Sequence, residues 1–266
     1  MRFFKLGQLN NRLADKVFWY VVGIVGLKKT DVILTSFPKS GNTWVRFFFC
    51  NIISLSKWAA RPVDFKTLNS TMPELGVSNL LRKWPYIDIL PRIVKTHMGY
   101  LLFFRNKKVI MIMRDPRDVM VSFYFYQKRM KHNPEISFPD FIRHPKYGLP
   151  GWFRYHQSWQ GKDKKVFKYE DIQLNDLAEF TRMIDCMGIN ISKDILNRAV
   201  EMSRFEKVRR NEVKYGHSNP QLNKNSLLFI RKGIVGDWEN HFSRQDIAYY
   251  KKLVRQFALP DFSYDF

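Results

Sequence analysis

The chain has 266 residues with 45 Lys+Arg against 24 Asp+Glu, a formal net charge of +21. That length suits one large α/β domain, and the charge calls for an anionic partner without saying which. Hydrophobic residues at 45% and aromatics at 16% exclude a disordered basic tail, and two cysteines, Cys50 and Cys186, exclude a disulfide framework. Neither cysteine has the spacing of a metal ligand, so a reducing, cytoplasmic setting without a bound metal is the expectation.

The longest apolar run, Val17 to Leu27, has eleven residues between Lys16 and Lys28-Lys29. It falls short of the roughly 20 residues of a bilayer span. It therefore predicts a helix that packs on the domain, or one that lies on a membrane surface through residues 17–29. Residues 1–30 read as a basic extension carrying this helix, ahead of one domain over 31–266. Val32 to Ser36 reads as a buried strand, followed by the loop Phe37-Pro38-Lys39-Ser40-Gly41-Asn42 and an apolar helix from about Thr43 to Leu55. The proline-containing stretch Ser56 to Pro91 reads as loops and short helices. Further strands are expected at Arg92 to Lys95, Lys107 to Met113 and Lys164 to Tyr169. Helical patterns cover Pro116 to about Lys131, Leu174 to Met187 and Ser243 to Phe257. Strands alternating with helices predict an α/β single domain: a central parallel sheet flanked by helices, with a P-loop-like nucleotide-binding architecture.

In such a sheet ligands bind beyond the carboxyl ends of the strands. The loop after the first strand is built for an anion: Pro38 stiffens it, Gly41 allows close backbone approach, and the amides of Ser40 to Thr43 point along a helix axis. Lys39 adds a cation, and the Ser40 and Thr43 hydroxyls add donors. Taken alone, it is also an ordinary strand–helix turn. It is not a Walker A loop, which needs Gly immediately before Lys.

At these residues the chain resembles the sulfotransferases that use 3′-phosphoadenylyl sulfate, whose 5′-phosphosulfate loop has the form Y/F-P-K-S-G-x-T-W. Arg114-Asp115-Pro116-Arg117-Asp118-Val119-Met120-Val121-Ser122-Phe123-Tyr124 resembles the family's 3′-phosphate segment, R-x-P-x-D-V-x-V-S-x-Y. The run from Arg231-Lys232-Gly233 to Phe242 resembles R-K-G-x-x-G-D-W-x-N-x-F. The resemblance implies that Lys39, Ser40, Gly41, Asn42 and Thr43 hold the 5′ end of the nucleotide. It implies that Arg114, Ser122, Arg231, Lys232 and Gly233 hold the 3′-phosphate. Trp44, Tyr169, Ser203 and Phe205 would form the adenosine pocket, with Phe229 just before the closing loop. Trp238 and Phe242 read as core.

Sulfuryl transfer needs an acceptor oxygen that loses its proton as it attacks, and charge stabilisation on the migrating group. Ile93-Val94-Lys95-Thr96-His97 resembles the family's K-T-H, which implies His97 as catalytic base, Lys95 on the sulfonate and Lys39 on the bridging oxygen of the leaving group. An isolated histidine would more ordinarily be a core residue. The family needs no metal. Departures fall where an acceptor would bind: Met98-Gly99-Tyr100 replaces the usual Leu-Pro turn, and Trp152, His156 and Trp159 match the family's spacing only roughly. The dimerisation motif is not recognisable in Asn211 to Leu228, which leaves the oligomeric state open. Apolar residues between Leu80 and Phe104 suggest an apolar pocket for an alcohol or phenol on a hydrophobic small molecule or lipid. Two other readings are an atypical nucleotide kinase, which would want a Walker lysine and a Mg²⁺-holding carboxylate, and a basic nucleic-acid-binding protein contacting phosphates through Lys107, Lys108, Arg129, Lys131, Arg209 and Arg210. The leading reading involves no specific nucleic acid.

Overall fold

The computed structural model describes residues 14–15, 17–84, 88–130, 134–217, 228–260 and 262–264. Four strands form one parallel sheet: β1 (Val32–Ser36), β2 (Ile93–Thr96), β3 (Lys108–Met113) and β4 (Lys165–Lys168), in the order β2-β1-β3-β4. Leu34 faces Lys95 across one edge of β1 and Ile110 across the other.

The near-continuous apolar strands follow from burial on both faces. Val32, Leu34, Ile110, Ile112 and Phe167 point to one core, closed by α2 (Asn42–Lys57), α8 (Asp176–Met187) and α9 (Lys193–Ser203). Ile33, Val94, Met111 and Met113 point to the other, closed by α4 (Pro116–Arg129), α6 (Leu149–Ser158) and α11 (Arg244–Phe257). Because β2 lies on one side of β1 and β3 on the other, the order reverses between β1 and β3. The crevice at their carboxyl ends is where a doubly wound sheet binds ligands.

The helix expected over Leu174 to Met187 is α8, which starts at Asp176, and a separate short helix, α7 (Tyr169–Leu174), follows β4 ahead of it. The Asn175 side chain accepts from the Ala178 N–H, ending α7 and capping α8. Periodicity alone does not register such a cap. Helices α5 (Phe138–Arg143), α6, α9 and α10 (Phe205–Tyr215) lie outside the expected helical patterns, although Ser137 and Ser192 cap α5 and α9 in the ordinary way. The stretch from Ser56 contributes one short helix, α3 (Phe65–Thr71). Of the Asn211 to Leu228 segment, residues 218–227 lie outside the described residues.

The apolar run forms a helix, α1, over residues 17–25. One face packs on the domain. A Cβ on Gly26 would come 2.7 Å from the Leu80 side chain, and Tyr20 covers Gly76 so closely that a Cβ there would sit 2.4 Å from its ring. Buried Arg92 fixes the junction, forking onto Asp31 at 2.9 and 2.6 Å and donating to the Gly26 carbonyl at 2.5 Å. The opposite face leaves Val17, Phe18, Val21 and Val25 between 52% and 68% exposed.

Candidate active site

The crevice opens into a cleft of about 500 Å³ bounded by the loop after β1, the ends of β2 and β3, and the segment 229–233. In the first loop Gly41 has φ 101°, and a Cβ there would come 2.6 Å from the Tyr169 ring, so both conformation and space demand glycine. The Ser40 N–H turns back to the Phe37 carbonyl at 3.3 Å, so Ser40 does not offer the amide expected of it. Amides from Gly41 onward remain at the start of α2, whose first turn holds no acidic residue and no side-chain cap. That leaves the positive end of the helix dipole for an anion.

Arg114 follows β3 directly. Its guanidinium donates to the Ile234 carbonyl at 2.9 Å, lies 4.2 Å from the Tyr169 ring centre, and meets Asp118 at 3.8 Å. Asp115 instead caps α4 and takes the fork of Arg117, which stacks 3.9 Å from Trp238. Asp118 accepts the N–H groups of Gly236 and Trp238 at 2.8 and 3.0 Å, tying the closing segment to α4. Burial raises the Asp118 pKa even against Arg114 and these two donors. Arg231 and Lys232 both reach Asp237, at 2.5 and 2.9 Å. Although burial works against it, bonds from Lys232 and Arg231 hold the Asp237 carboxyl down at about 2. Gly233 has φ 66° and is packed against the Phe205 ring.

Trp44 and Tyr169 meet edge-to-face at 5.8 Å on the side wall. Ser203 lines the same wall, but its hydroxyl donates to the Ala199 carbonyl at 2.6 Å and accepts from Asn51 at 3.0 Å, leaving only a lone pair for a ligand. Glu212 in α10 accepts the N–H groups of Phe229 and Ile230, which fixes the Phe229 ring over the cleft. Lys39, with φ 70°, places its ammonium 3.6 Å from that ring centre and 4.8 Å from the Tyr126 ring. Burial, with Arg114, Arg129 and Arg231 nearby, lowers the Lys39 pKa to about 7, against a raising pull from Glu212.

At the far end, His97 Nδ1 lies 2.7 Å from the Ser36 carbonyl. A carbonyl oxygen only accepts, so Nδ1 carries the proton and Nε2 is left as an acceptor. Burial, then Lys95, lowers the His97 pKa to about 4, while Glu74 pulls the other way. Glu74 is a cleft residue absent from the sequence reading. Its carboxylate meets Lys95 Nζ at 2.8 Å, and the backbone of residues 73–75 pairs along β2. It lies 21 residues before Lys95 in a stretch without periodicity, so no local signal marked it.

All the nucleotide-binding and catalytic residues expected from the sequence line this cleft except Ser40, which is fully buried behind it. The apolar wall differs from expectation. Leu80, Leu90 and Phe104 go into the cores, and the surface comes instead from Pro38 in the loop after β1 and from Phe123 and Tyr126, because α4 starts at the crevice and runs along it. Ser40 Oγ, Asn42 Oδ1, Trp44 Nε1, Arg114 Nε and Arg231 Nε are buried polar atoms without a partner among the described residues. Four of these five groups are N–H or O–H donors, a set that fits phosphate and sulfate oxygens. No group of three or more His, Cys, Asp or Glu side chains arranged to hold a metal occurs among the described residues. The basic residues of the nucleic-acid reading are turned inward in part: Lys107, Lys108 and Arg129 donate to the Lys28, Met187 and Leu228 carbonyls, and Lys131 lies outside the described residues.

A family model described as "Sulfotransferase domain" matches residues 29–258. Human Sulfotransferase 1E1 is 28% identical over 243 residues, covering 85% of this chain and 83% of that protein. Mouse Sulfotransferase 1B1 is 30% identical over 252 residues, covering 84% and 82%. Among solved structures, retinol dehydratase in complex with androsterone and the inactive cofactor PAP superposes with a TM-score of 0.69 at 21% identity, covering 90% of this chain and 83% of that one. Mouse sulfotransferase SULT7A1 complexed with PAP gives 0.62 at 21% identity, covering 89% and 90%. At these identities the two structures speak to the fold.

Proposed function

The chain belongs to the sulfotransferase family, and from that membership we propose that its cleft moves a sulfuryl group from 3′-phosphoadenylyl sulfate to a hydroxyl or amine of a hydrophobic small molecule or lipid, releasing adenosine 3′,5′-bisphosphate. The observation that carries this reading is the convergence of an anion-binding helix start, two separate arginine sites and a neutral histidine with a free Nε2 on one cleft. In it, the amides from Gly41 onward with Lys39, Asn42 and Thr43 hold the 5′ end. Arg114, Ser122, Arg231, Lys232 and Gly233 hold the 3′-phosphate, and Trp44, Tyr169, Ser203, Phe205 and Phe229 surround the adenosine. His97 Nε2 takes the acceptor proton as the oxygen attacks, and Lys95 and Lys39 stabilise charge on the sulfonate and on the departing oxygen. The apolar wall of Phe123 and Tyr126 suits a hydrophobic alcohol, and solved relatives are described with retinol and androsterone.

The test is a thermal shift with adenosine 3′,5′-bisphosphate beside ATP and duplex DNA. Preferential stabilisation by the bisphosphate is expected; stabilisation by ATP alone would point to a kinase, and by DNA alone to a nucleic-acid protein. A screen of hydroxylated lipids, phenols and amines with labelled donor then identifies the acceptor.

No helix among the described residues is long and apolar enough to cross a membrane. The finer reading is a cytoplasmic enzyme that touches an anionic bilayer through α1. The exposed stripe of Val17, Phe18, Val21 and Val25, beside exposed Lys28 and Lys29, supports it. Co-sedimentation with phosphatidylserine vesicles, lost on Phe18→Glu with Val21→Glu, checks it; equal binding by the double variant would end it.

A further inference from the structure

Glu74 is the one carboxylate that reaches the acceptor end of the cleft among the described lining residues. Its position is set by the backbone. The Lys95 N–H donates to the Pro73 carbonyl at 2.8 Å and the Leu75 N–H to the Lys95 carbonyl at 2.9 Å, so residues 73–75 run as a short parallel addition to β2. That pairing brings the Glu74 carboxylate to 2.8 Å from Lys95 Nζ, and Lys95 lies two residues before His97, which directly follows β2. A lysine with a side chain only 14% exposed has lost most of its water and needs a fixed counter-charge to remain an ammonium.

We propose that Glu74 is a positioning residue for sulfuryl transfer, which holds the Lys95 ammonium charged and aimed into the cleft beside His97. The proposal rests on the sulfotransferase reading and adds to it a residue of this chain that the family motifs do not contain. Other groups facing this cluster cannot replace it. Arg46 in α2 is cationic and donates to the Leu68 and Met72 carbonyls and Asn69; the Lys39 amine is neutral or cationic and never a counter-anion; Tyr126 in α4 is a neutral phenol. His97 carries its proton on the Nδ1 that faces Ser36. Burial lowers the Lys95 pKa and Glu74 is the largest influence raising it, while the same carboxylate offsets the effect of Lys95 on His97.

The experiment measures kcat against pH for wild type, Glu74→Gln, Glu74→Asp, Lys95→Met and the Glu74→Gln/Lys95→Met double variant. Bisphosphate affinity and melting temperature are followed in parallel. Glu74→Gln should lower kcat roughly tenfold or more, the scale of one lost charge-assisted bond. Its alkaline fall-off should move to lower pH as Lys95 gives up its proton sooner, with bisphosphate affinity unchanged. Glu74→Asp should recover part of the rate and most of the profile. In the Lys95→Met background there is no ammonium to hold, so adding Glu74→Gln should cost nothing further. A wild-type rate and pH profile in Glu74→Gln overturns the proposal. So does an equal loss from Glu74→Gln with and without Lys95, an outcome that also covers a merely structural role. Failure of the parent reading is separate, because it would show as an active His97→Ala enzyme or as no bisphosphate binding by wild type.

Discussion

The ammonium of Lys39 sits 3.6 Å from the centre of the Phe229 ring, in a cleft that also holds Arg114 and Arg231. Burial and those cations bring its pKa to about 7, so near neutrality part of the population is uncharged. A bound phosphosulfate or bisphosphate adds negative charge and raises that pKa. Between the two values, binding therefore takes up a proton. Calorimetry near pH 8 in buffers of different ionisation enthalpy should show net proton uptake on bisphosphate binding, absent in Lys39→Met; identical uptake in the variant assigns the proton elsewhere.

His97→Ala should keep bisphosphate binding and lose transfer by roughly two to four orders of magnitude. With the wild-type imidazole at about 4, held there by burial and Lys95, the base is unprotonated throughout the neutral range. The rate should consequently hold as pH falls from 7 and decline only towards that value. An acid limb centred between 6 and 7 would contradict the assigned environment of His97.

Arg114 donates to Ile234 and lies over Tyr169, so its loss removes the proposed 3′-phosphate ligand and a brace of the closing segment together. Arg114→Ala should weaken donor and product binding alike by about 10- to 100-fold, as expected for charge-assisted hydrogen bonds. Isothermal titration with both nucleotides measures it, and unchanged affinity for each would remove Arg114 from the 3′-phosphate site.

Asp118 accepts two main-chain N–H groups of the closing segment while almost fully buried. Asp118→Ala leaves both donors unsatisfied, at about 1–3 kcal/mol each. A lowered melting temperature together with weaker bisphosphate binding is expected; normal nucleotide affinity would mean the segment is held by other contacts.

His156 is buried against Trp152 at 4.0 Å, and neither ring nitrogen has a partner among the described residues. Burial, aided by Lys164, lowers its pKa to about 3. The unfolded chain titrates near 6.5 and so binds more protons than the native one between those values. Stability is fully present above pH 6.5 and declines as pH falls, by roughly 1.4 kcal/mol per unit for this one group. His156→Phe should flatten the dependence of melting temperature on pH over that window, and an unaltered slope would show that other groups dominate it.

The parallel α/β class, the strands at Val32 and Lys107, and the cleft residues carried by contiguous motifs are all legible in the amino-acid sequence. Those motifs are legible because the chemistry there is local. A helix start, a strand-end arginine and a glycine at positive φ each need particular residue types within a few positions. The cap at Asn175 was equally local but silent in hydrophobic periodicity. Features that depend on distant parts of the chain emerge from the folded arrangement alone: Glu74 pairs with Lys95, Ser36 fixes the tautomer of His97, and α4 supplies apolar wall in place of Leu80 to Phe104. The same holds for the apolar run, which buries Gly23 and Gly26 and exposes Val17, Val21 and Val25. These outcomes follow from strand register and from which face of an apolar helix finds a neighbour, and neither quantity is a property of a short segment.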